Sequence, residues 1–132
     1  MDSFPMLFIN VCFVSALIAI TKRLGSGQMS DNKLELEFDE AMMGIYESAL
    51  SEAEYNATRF LTMLHEHRGL GTAHLLLHAS KPSEGYTALY LKKRLDLTVE
   101  ALIHDNPKWH ALFSPEDLAI CERRLRDYGY LD

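Results

Sequence analysis

Apolar residues recur at three- and four-residue spacing through the middle of the chain: Met42, Ile45, Ala49, Ala53, Ala57, Phe60 and Leu64. On a helix of 3.6 residues per turn that spacing makes one continuous apolar stripe. No proline interrupts Asp39 to Arg68, so the pattern predicts one long helix, or two joined near Ser51. Asp39 suits the N-cap, and Gly69, following His65, His67 and Arg68, suits a left-handed stop. Just upstream, Leu34-Glu35-Leu36-Glu37-Phe38 alternates apolar and charged residues. With no second strand to pair with, it reads as an extended lead-in.

Shorter periodic segments follow. Thr72 can cap a helix through Ala79, which Lys81-Pro82 ends because the residue before proline avoids helical angles. A further helix starts near Ser83 and carries Tyr86, Leu89 and Tyr90 toward Arg94. Asp96 or Thr98 caps the next, with Val99, Leu102 and Ile103 inward, and Trp109, Leu112 and Phe113 form a short apolar turn. Ser114-Pro115-Glu116-Asp117 is the clearest start signal: a hydroxyl cap, a first-turn proline, then two acids. The helix it opens buries Leu118, Cys121 and Leu125 and stops at Gly129. The expected fold is therefore all-α, a compact bundle of five or six helices with one long N-terminal helix followed by shorter ones.

A different pattern precedes this body. Residues 4–20, FPMLFINVCFVSALIAI, run for seventeen positions without a charge. That is the short end of a membrane span, and Lys22 and Arg23 behind it favour a cytoplasmic C-terminal domain. The segment does not resemble a cleaved signal, since its leading residues MDSF carry an acid and no base. A second explanation stands beside the anchor: translation from Met29 would leave the segment out as an over-extended gene start. The expected organisation is a hydrophobic segment over 1–28, the lead-in over 29–38 and a helical domain over 39–132. The domain is expected in the cytoplasm, tethered to the inner membrane if residues 4–20 are an anchor.

The runs EYNATRFLTML, TAHLLL, RLDLTVEALI and LF-SPED followed by RRLRDYGY resemble a set of small uncharacterised bacterial helical proteins, across about Glu54 to Tyr130. The resemblance implies a bacterial origin and carries no assigned activity.

Composition changes the picture mainly through charge. The 132 residues carry a net charge of −6, and 48% are apolar. Residues 29–58 hold Lys33 against eight acids, Asp31, Glu35, Glu37, Asp39, Glu40, Glu47, Glu52 and Glu54. An acidic leading segment repels phosphate and argues against broad nucleic-acid binding. Cys12 and Cys121, far apart in sequence, do not make a disulfide framework.

Candidate chemistry is sparse. His74 and His78 are four apart and share a helix face, and a turn at Gly69-Leu70-Gly71 would bring His65 and His67 toward them. These four are the candidate metal ligands, weighed against ordinary helix-end histidines. Lys92, Lys93 and Arg94, with Arg123, Arg124 and Arg126, form two basic clusters that suit phosphate contacts or simple solvation. Cys121 reads as a small core residue. No catalytic residue and no cofactor is indicated, because neither a phosphate loop nor a nucleophile–base pair is present. The expectation is a non-catalytic helical interaction or regulatory module, with a protein partner or self-association. Nucleic-acid binding and metal binding are the alternatives, and residues 4–20 are the only route to a membrane.

Overall fold

In the computed structural model the described residues are 26–132 for the backbone and 32–132 for side chains. The apolar run at 4–20, on which the anchor and start-site readings rest, lies outside them. Among the described residues no helix is long and apolar enough to cross a membrane. The chain divides into two units, Met1–Leu36 and Glu37–Asp132. Of the first, the helical backbone from Ser26 and the side chains from Asn32 are described.

The fold is all-α, with no strand among the described residues. The elements are α1 (Ser26–Ala53), α2 (Thr58–Leu77), α3 (Glu84–Leu91), a 3-10 turn (Leu95–Leu97), α4 (Val99–Asp105), a second 3-10 turn (Pro107–Leu112) and α5 (Pro115–Asp127). The long helix does come first, followed by shorter ones. Residues 29–38 are part of α1 and not an extended lead-in. Leu34, Phe38 and Met42 step by four, so the apparent alternation is one helical stripe with Leu36 beside it. Phe38 and Met42 are fully buried, and Phe38 meets Trp109 and Phe113 edge-on at 5.3 and 5.5 Å between ring centres.

Three helix ends share one device. Glu54, Lys93 and Gly129 hold positive φ of 54°, 62° and 84°. Each lets the following N–H return to a carbonyl one helical turn back: Tyr55 to Ala49, Arg94 to Leu89 and Tyr130 to Leu125. These bonds, six-to-one at Arg94 and Tyr130 and one residue wider at Tyr55, satisfy carbonyls that the helix end would leave bare. Only one of the three positions is glycine. Of the two expectations for Asp39 to Arg68, the pair of helices joined near Ser51 is the one observed, with the break at residues 54–57, just after Ala53.

A second break falls inside α2. Arg68 sits at φ 63° and ψ −174°, splitting α2 into two helical pieces. Asp39 does not cap its own helix. From inside α1 its carboxylate accepts the Gly69 N–H at 2.7 Å, capping the second piece of α2 from the side, and also holds Arg68 at 2.6 Å. Gly69 is not the left-handed residue. It allows close approach, since a Cβ there would lie 2.8 Å from the Asp39 carboxylate and 3.2 Å from the Asp39 Cα.

The later starts follow the sequence closely. Ser83 accepts from the Tyr86 N–H, Thr98 from Ala101, and Ser114 and Asp117 form a reciprocal capping box. Thr72, expected as a cap, is instead buried inside α2 with its hydroxyl unpartnered. Packing gathers Ala49, Ala53, Leu89 and Leu97 in one cluster, and Tyr86, Leu95, Ala101 and Leu125 in another.

Candidate functional site

The expected ligand histidines separate into two places. His74 and His78, near the end of α2, both turn toward Asp117 in the first turn of α5. His78 Nε2 lies 2.7 Å from Asp117 Oδ1, and His74 Nε2 lies 3.5 Å from Oδ2. Asp117 is buried while both rings are half exposed. Burial works against ionisation of Asp117, but the backbone of Ser114, the His78 ring and the Ser114 hydroxyl outweigh it, and its carboxyl stays below the usual range. An ionised carboxylate only accepts, so His78 Nε2 carries the shared proton. The His74 ring also meets Phe113 edge-on at 5.5 Å.

His65 and His67 stay in the first piece of α2. His67 lies 3.7 Å from its neighbour Glu66, and His65 borders a shallow cleft with Met43 and Arg68. The kink at Arg68 lies between the two histidine groups in sequence, and each group has its own acidic neighbour. Among the described residues no group of three or more His, Cys, Asp or Glu side chains is arranged to hold a metal ion.

The basic clusters are largely engaged within the protein. Arg94 bonds Asp96 and Glu52, which fastens the turn after α3 to the end of α1. Arg126 pairs with Glu122 at 2.6 Å and reaches the Asp132 carbonyl. Arg124 is buried: its guanidinium holds Glu100 at 2.9 Å and the carbonyls of Leu76 and Ala79 at 3.0 and 2.9 Å. The Glu100 side chain is only 5% exposed. Burial pushes its carboxyl above the usual carboxylate range, against the opposing pull of Arg124. Lys92, Lys93 and Arg123 are exposed. The clusters therefore do not present six cations on one face.

Cys121 is fully buried, and burial pushes its thiol up to about 12. A thiol held there stays protonated at neutral pH and is a poor nucleophile.

Among the described residues a further concavity is one that no motif announced. A cleft of about 400 Å³ is walled by Ile45 and Ala49 of α1, Phe60 and Met63 of α2, Leu89 of α3 and Leu97. Tyr55, Asn56 and Ala57, from the link between α1 and α2, also line it. Arg59 and Glu84, both highly exposed, also line it and approach to 3.8 Å. Its outline depends on the break after Ala53, whose left-handed residue is a glutamate, so the stripe read from Met42 to Leu64 gave no signal of it.

No protein-family model, curated protein or solved structure matches this chain at a significant level.

Proposed function

We propose that the chain is a non-catalytic helical module that acts by binding another protein or a second copy of itself. The observation that carries this reading is the exposure of Leu91, which at 73% is the most exposed of the large apolar side chains among the described residues, with Leu50, Leu75 and Tyr90 exposed as well. In sequence Leu50 and Leu91 stand within two residues of the cluster formed by Ala49, Ala53, Leu89 and Leu97, while the Tyr90 ring meets Tyr128 edge-on. Large apolar side chains left in water suit contact with a partner surface. Lys92 and Lys93 follow Leu91, exposed and without an ion pair among the described residues. The partner surface that suits them is apolar with acidic flanks.

The groups with reactive potential support a binding role by what they already do. Asp117 caps α5, Glu100 and Arg124 join elements, and Cys121 packs in the core. Size-exclusion with light scattering, with capture from native lysate, tests the proposal. Self-association, or retention of a partner, that Leu91→Glu abolishes without lowering the melting temperature is the expected result. A strict monomer that retains nothing overturns it.

A further inference from the structure

We infer that the cleft between α1, α2 and α3 is a binding site for an uncharged, largely apolar small molecule bearing one hydrogen-bonding group. Its volume of about 400 Å³ lies within the range of small-ligand pockets, roughly 300–1,000 Å³. The chemistry follows from an inventory of the polar groups that line it. Tyr46 donates to Asn56 Oδ1 at 3.0 Å, and Tyr86 donates to the Arg124 carbonyl at 2.9 Å. Thr98 donates to the Leu95 carbonyl and accepts from Ala101, while Ser83 accepts from Tyr86. Glu100 is held by Arg124. These groups hold the walls in place and offer little to a ligand.

Tyr55 differs. Its ring packs against the Ala49, Ala53, Leu89 and Leu97 cluster, and its hydroxyl makes no hydrogen bond among the described residues. That hydroxyl reaches across to the first turn of α3, where a Cβ on Gly85 would lie 3.6 Å from it. Tyr55 thus supplies an open hydroxyl on an apolar wall, and the Thr58 hydroxyl and the Asn56 amide N–H also line the cleft without a hydrogen bond among the described residues.

Charge selects against ions. The charged groups of the lining are matched in pairs, Arg59 with Glu84 and Glu100 with Arg124, so neither an anion nor a cation finds an unmatched opposite charge there, while each would give up its hydration to enter. A neutral guest avoids that cost, and its apolar body replaces water along Ile45, Phe60 and Met63. The Arg59–Glu84 pair is too exposed to resist entry, since such pairs contribute about 0–1 kcal/mol.

The test uses the full chain and N-phenyl-1-naphthylamine, a neutral apolar fluorophore with a single N–H. Saturable enhancement at one probe per chain is expected, with displacement by 1-octanol. Octanoate and octylammonium should displace it roughly tenfold less well, which reads the charge selection. Met63→Trp, which fills the cleft, should abolish the saturable signal while the helical circular dichroism is retained. Ala57→Phe, filling from the α1–α2 link, is the second variant should Met63→Trp not fold. Tyr55→Phe should weaken octanol binding by about two- to tenfold, the range of one neutral hydrogen bond. Probe binding that does not saturate, that survives both filling variants, or that octanoate competes as well as octanol overturns the inference. None of these outcomes depends on Leu91, so the protein-binding surface and the small-molecule site fail separately.

Discussion

Arg68 holds a backbone conformation, φ 63° and ψ −174°, that side-chain-bearing residues rarely occupy and that costs on the order of 1–3 kcal/mol. Its guanidinium recovers part of that by pairing with Asp39 at 2.6 Å, but the pair is partly exposed and contributes about 1 kcal/mol at most. Arg68→Gly removes strain and pair together. Urea unfolding should find it near neutral or stabilising by up to about 1 kcal/mol, once the greater freedom of unfolded glycine is included. Gly69→Ala should be destabilising by about 1–3 kcal/mol, because the new Cβ is driven into Asp39. If the two substitutions ranked in the opposite order, the roles assigned to these neighbours would be wrong. Asp117 adds a pH dependence of definite sign. Its folded value lies below the unfolded one of about 3.9, so its contribution is complete above that pH. It is lost as pH falls through the lower folded value. Asp117→Asn should flatten the loss of melting temperature below about pH 4 relative to the parent chain.

Among the elements, α5 has the most fully specified start. Ser114→Ala deletes one half of its capping box and should cost about 0.5–2 kcal/mol in denaturant unfolding, with Ser114→Gly costing less. A cost too small to measure would mean that Pro115 and the acids of the first turn suffice without the hydroxyl. Starts were legible in the sequence wherever a side chain makes the cap locally, as at Ser83, Thr98 and Ser114. Of the ends and kinks, the stop at Gly129 was legible and the other left-handed positions were not. Glycine is the local sign of a left-handed stop, yet Glu54, Arg68 and Lys93 take that conformation here, held by long-range contacts such as Arg94 with Glu52 and Asp39 with Gly69. The same distinction governs the candidate sites. The i,i+4 relation of His74 and His78 was visible, but Asp117, 39 residues beyond His78, was not. The cleft was least visible, because it exists only where α1 stops.

For the Glu37–Asp132 unit, one ionic junction ties the helices. Arg124 of α5 holds Glu100 of α4 and the last carbonyls of α2, while its own carbonyl accepts from Tyr86 of α3. Glu100→Leu leaves a buried guanidinium with no counter-charge and should cost about 3–5 kcal/mol in urea unfolding. A loss below about 1 kcal/mol would show that the pair is solvated in solution. The partners of Arg124 span separations of 24 to 48 residues, so the junction closes only when four helices have found one another.

That dependence gives the last helix a quality-control consequence. A product truncated before residue 124 would keep a carboxylate on α4 without its cation and would strip the end of α2 of its donors. Such a fragment would spend much of its time open, and open chains are what cellular proteases remove first. Covering of the buried carboxylate on α4 and of the α2 carbonyls is thus tied to docking of a single later side chain.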